Sequence, residues 1–84
     1  MFNKKAKVVK KWLDIGLPPE IPITTIEQLQ VSDEVHSIIL KQIDADIRDA
    51  GISRESEEGV VLHNLKGAIE DNAERIRQQF NSLK

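Results

Sequence analysis

Ser56–Lys84 reads SEEGVVLHNLKGAIEDNAERIRQQFNSLK. Its apolar residues Leu62, Leu65, Ile69, Ala73, Ile76, Phe80 and Leu83 recur at steps of three and four, which stacks them on one side of an α-helix. No proline interrupts the run. A helix this long with one apolar stripe has to bury it against another element, so the segment sets an all-α fold class. The stripe is also close to a heptad through positions 62, 65, 69, 72, 76, 79 and 83, with Asn72 and Gln79 as its polar members. Ser53 or Ser56 suits the N-cap, and Gly59 marks a weak first turn, where the regular part is expected to begin.

The partner for that stripe lies just upstream. Val35, Ile38, Ile39, Leu40, Ile43, Ile47 and Ala50 make a broad apolar face, followed by Gly51 at C′ and Ile52 as the apolar C″ residue. Two start signals precede it. Thr24 or Thr25 caps a short helix of one or two turns, with Glu27 or Gln28 closing a capping box; Ser32-Asp33-Glu34 then starts the central helix. The central and C-terminal helices are expected to pack antiparallel through the short turn at 51–53.

Residues 1–16 read as a short basic helix. Phe2, Ala6, Val9 and Leu13 form its apolar stripe with Trp12 beside them, while Lys4, Lys7 and Lys11 lie opposite. Residues 17–23 (LPPEIPI) form a proline-stiffened connector expected to lie against the domain. Residues 24–84 form the helical core. The whole is one domain of three to four helices. Two long helices and a short third cover too little of the broad central face, so completion by dimerisation is expected.

Composition narrows the function. The chain has 84 residues, no cysteine, 39% hydrophobic and 31% charged side chains. A disulfide framework and thiolate metal sites are excluded. The first eleven residues carry five lysines and no acid, whereas the other 73 carry seven basic and fourteen acidic side chains. The body is therefore acidic, which argues against broad nucleic-acid binding. The basic start lacks the apolar run of a signal peptide, since Asp14 and Gly16 break it, and no stretch has the length of a transmembrane helix. A cytoplasmic location is the expectation.

One segment has a chemical look: His63-Asn64-Leu65-Lys66-Gly67-Ala68. It resembles the phosphoacceptor motif of histidine-phosphotransfer domains. The resemblance implies His63 as phosphoacceptor, Lys66 as a balance for phosphoryl charge, and Gly67 as room for a partner's active site. It covers six residues. Glu70 and Glu74 share the His63 face, and the 21 residues after His63 continue one helix where such domains add two more.

Other motifs are weaker. Thr25–Ile43 is about a turn too short for a helix-turn-helix and has acids at the start of its would-be reading helix. Asp44, Asp46 and Asp49 lack the glycine of an EF-hand loop; Asp46, near the apolar face, is expected to pair with a lysine or arginine. Pro19-x-x-Pro22 has no flanking arginine. His36 and His63 have no metal-ligand spacing around them. No nucleophile elbow, P-loop or dinucleotide fingerprint occurs, and elements this short are expected to leave little room for a walled pocket.

The expected function is therefore a non-enzymatic interaction or regulatory module, working through helix–helix contacts as a homodimer, with no cofactor, metal or small-molecule substrate. The expected contact residues are Phe2, Val9, Trp12, Leu13, Leu62, Leu65, Ile69, Ile76 and Phe80. The alternatives are phosphotransfer through His63, Lys66 and Gly67, and salt-sensitive binding of nucleic acid or an anionic membrane through Lys4, Lys7 and Lys11.

Overall fold

A computed structural model describes residues 3–18 and 22–82, and every regular element among them is helical: α1 (Lys4–Ile15), α2 (Ile26–Ala50) and α3 (Glu57–Ser82). Phe2 and Leu83 lie outside the described residues, as does the middle of the connector at 19–21.

Each helix begins at a side-chain cap. The Asn3 side-chain oxygen accepts from the Lys5 N–H at 2.9 Å and opens α1. At α2 the two threonines are distinguished: Thr25 is the cap, accepting from the Gln28 N–H at 3.2 Å, and Gln28 Oε1 accepts from the Thr25 N–H in return. Thr24 adds its own N–H at 2.7 Å to the same oxygen. Ser56 opens α3, accepting from the Gly59 N–H at 3.0 Å.

The expected break before Ser32 does not occur. α2 is one helix of 25 residues. The Thr25–Gln28 box already satisfies the first turn, and neither proline nor glycine lies between Ile26 and Ala50 to stop propagation. Ser32-Asp33-Glu34 is a start signal with nothing to interrupt before it, so it is absorbed into the helix interior.

The turn between α2 and α3 was legible in outline. Gly51 is left-handed, with φ 65° and ψ 37°; its N–H donates to the Arg48 carbonyl, and the Ile52 N–H donates to the Ile47 carbonyl at 3.0 Å. This is a Schellman motif, and Ile52 is buried beyond it. Gly59 has a different role from the expected weak point. A Cβ there would meet the Arg54 carbonyl oxygen at 2.9 Å and collide outright with the Ser53 carbonyl oxygen. The turn backbone packs directly onto the first turn of α3, and only glycine leaves room for it.

Cross-helix pairs fix the direction of packing. Asp33 meets Arg77, His36 meets Asn72, and Asp44 meets Lys66, so numbers rise on α2 as they fall on α3. The two long helices run antiparallel. α1 starts beside the turn, where Lys4 Nζ donates to the Asp49 carbonyl at 3.4 Å, and runs back along α2 to Lys11 and Trp12 beside Asp46.

The core gathers at the turn end. Trp12, Ile43, Ile52, Leu62 and Ile69 form one buried cluster, with Val8, Val9, Ile39, Leu40, Ile47 and Leu65 packed on it. Twelve residues of α1 reach only about 18 Å, against about 37 Å for α2. The molecule is accordingly a rod of 52 × 18 × 18 Å, three helices thick at one end. Its radius of gyration of 14.7 Å exceeds the roughly 12 Å of a compact chain this long.

Candidate functional site

The trough between α2 and α3 is filled by α1 near the turn and continues past the end of α1 as an open groove. Pro18 and Ile23 of the connector, Val31 and Val35 of α2, and Ile76 of α3 line it, with Glu27, Gln28, Ser32 and His36 of α2 as its polar members. Its volume is about 380 Å³, inside the range of about 300–1,000 Å³ for ligand pockets. The expectation of too little room for a pocket is therefore corrected. α1 is too short to cover the whole trough, and Pro18 and Ile23 line the remainder without filling it.

His36 is the functional-looking residue that the sequence reading left out of the core. It is 4% exposed and Asn72 is 2% exposed. His36 Nδ1 lies 2.7 Å from the Ser32 carbonyl oxygen, which can only accept, so Nδ1 carries the proton. Nε2 is then the acceptor for Asn72 Nδ2 at 3.0 Å. The pair gives both ring nitrogens of the buried imidazole a hydrogen-bond partner. A signal for it existed: Asn72 is a polar member of the α3 heptad, and His36 lies seven residues before Ile43 on the core side of α2.

α2 also keeps an apolar strip in water. Val31 is 59% exposed, Val35 42% and Ile38 51%, at steps of four and three along one side. The strip borders the groove and continues beyond it toward the C-terminal half of the helix.

The expected contact residues distribute differently. Trp12, Leu62, Ile69 and Ile76 are buried inside the chain, Val9 and Leu65 are half-buried against the core, Phe80 is half-buried, and Leu13 is exposed. α3 spends most of its stripe on the intramolecular core, and the exposed large apolar side chains of the helices lie on α2 (Ile26, Val31, Val35 and Ile38), at the end of α1 (Leu13 and Ile15) and at Val60 of α3.

The lysines of α1 reach toward α2. Lys11 Nζ and the Trp12 indole N–H both donate to Asp46 Oδ2, each at 2.8 Å, and Lys11 Nζ sits 4.9 Å from the Trp12 ring centre. The expected partner for Asp46 is thus Lys11. That hydrogen bond chiefly holds the Asp46 carboxyl below its ordinary value, burial opposes it, and the Trp12 bond and the Lys11 charge add to it. Glu55 is lowered as well, first by the Ser53 hydroxyl that donates to it at 2.7 Å. Lys4 is turned to the Asp49 carbonyl, and Lys7 is exposed on the same helix.

His63, Lys66 and Gly67 all lie on α3. His63 is half-buried, and the Lys66 ammonium, with its side chain 19% exposed, is held by Asp44. Gly67 does have open space where a Cβ would stand. Among the described residues no three His, Cys, Asp or Glu side chains are grouped to hold a metal, and no helix is long and apolar enough to cross a membrane. Set against protein-family models, curated proteins and solved structures, the chain finds no match in any of the three.

Proposed function

We propose that the protein is a non-enzymatic interaction module that works through helix–helix contacts as a homodimer. The observation that carries this reading is the exposed Val31, Val35 and Ile38 strip on a helix whose other side is core. A helix with apolar residues on both sides has a second surface to bury. α1 covers the turn half of the rod and leaves the other half two helices thick, so the shortfall of cover falls on the stretch of α2 that carries the strip.

The two alternative readings have less support. Lys66 is engaged by Asp44 and so is not free to balance a phosphoryl group. Lys4 and Lys11 direct their ammonium groups to α2, which leaves a less open basic face than the sequence suggests.

Light scattering tests the proposal. The wild type should give twice its chain mass of 9.5 kDa, and Val35→Lys should shift the mass toward one chain while circular dichroism stays helical. A wild type of single-chain mass across the concentration range, or a Val35→Lys variant as dimeric as the wild type, overturns it.

A further inference from the structure

Beside the apolar strip, α2 carries a second pattern. Glu27, Glu34, Lys41 and Arg48 recur every seven residues, two acids followed by two bases. Seven residues make nearly two turns, so the four form one row along the helix. All four are exposed, and none takes part in the ion pairs found among the described residues. The neighbouring acids Asp33, Asp44 and Asp46 each have a cationic partner within the chain. Apart from Asp49, which lies off the row, these four are the charges of α2 outside those ion pairs.

A row that reads acid, acid, base, base is complementary to its own reverse. Laid antiparallel on a second α2, Glu27 faces Arg48 and Glu34 faces Lys41, and two-fold symmetry makes each pair twice. The apolar strip is compatible with the same register, and a shift by one heptad, which also keeps the strip in the seam, would set Glu34 against Glu34 of the second copy. With the crossing centred between His36 and Ser37, Val35 lies opposite Ile38 of the second copy, Val31 opposite Gln42, and Gln28 opposite Ala45. These are the alternating seam layers of an antiparallel helix pair, and the charged row is the flank beside them. A parallel pairing sets the row against the other flank, Ser32, Ile39 and Asp46, where Asp46 is already taken by Lys11 and Trp12.

We propose that two copies of this chain associate by antiparallel α2–α2 packing, with the Val31–Val35–Ile38 strip as seam and the Glu27, Glu34, Lys41 and Arg48 row fixing orientation and register. The seam supplies the buried apolar surface, and the row excludes parallel and shifted pairings. This rests on the homodimer reading above and goes further by naming the surface and its geometry.

Charge exchange tests it. Glu27→Lys with Glu34→Lys makes the row wholly basic; Lys41→Glu with Arg48→Glu makes it wholly acidic. Each variant alone should self-associate at least tenfold more weakly than the wild type at low salt. Mixed in equal amounts, they should form a heterodimer, read by native mass spectrometry. The fourfold variant, with the row inverted, should homodimerise like the wild type, which controls for any loss of folding in the others. A dimeric wild type whose charge variants pair as tightly as it does, or whose mixture gains nothing, overturns this register and leaves the dimer standing. A monomeric wild type removes both.

Discussion

The indole N–H of Trp12 and the ammonium of Lys11 converge on one oxygen of Asp46, so that Trp12 and Asp46 stand 2.8 Å apart across the α1–α2 contact. A neighbouring pair on a short helix thereby fixes both its depth, through a buried ring, and its position along α2, through a directional hydrogen bond. Trp12 is the only tryptophan in the chain, so its fluorescence reports the docking of α1 directly.

The attachment should weaken in acid. The Asp46 carboxyl is lowered in the folded state, so the folded chain binds that proton less readily than the unfolded one. Its contribution is complete above the unfolded value, near 3.8, and is lost as pH falls through the lower folded value. Trp12 emission should shift red over that window. Asp46→Asn should flatten this limb of the titration, and Trp12→Phe should cost ~1 kcal/mol for the lost hydrogen bond. An unchanged acid limb in Asp46→Asn would assign it to other carboxyls.

The His36–Asn72 pair should show strong coupling. Asn72→Leu leaves Nε2 of a buried imidazole without its donor and should cost about 1–3 kcal/mol in urea melts. His36→Leu with Asn72→Leu removes both needs and should lie well below the sum of the single costs. Additive costs in the double-mutant cycle would mean that the bond contributes nothing beyond packing.

Two glycines of α3 should respond with opposite sign. Gly59→Ala drives a methyl into the Ser53 and Arg54 carbonyls and should destabilise by about 1–3 kcal/mol. Gly67→Ala meets no atom within 4 Å and should stabilise by about 0.5–1 kcal/mol through helix propensity. Equal thermal shifts for the two would contradict the close turn–helix approach at Gly59.

The parts of the fold that repeat were the legible ones. The stripe, as far as Phe80, the Gly51–Ile52 ending and the basic first helix follow from spacing and end signals, and the structure agrees with them among the described residues. The start signal at Ser32 misled because capping is conditional: once Thr25 and Gln28 have begun a helix upstream, a serine followed by acids is simply a polar stretch of it. His36 was passed over because a histidine looks like chemistry or surface until a partner at the same level is found, and that level is set by the antiparallel register. The groove was not legible at all. It arises from a mismatch in length between α1 and the two long helices, and no local pattern encodes a difference between distant elements.

The crowding of the core beside the turn also sets an order of assembly. Ile43, Ile52 and Leu62 are ten or fewer residues apart in succession, so their meeting closes only small loops and demands little chain entropy. The hairpin should nucleate there and zip outward, recruiting Trp12 as a latch. The far tips near Ile26 and Ser82 then join last and are the first to fray.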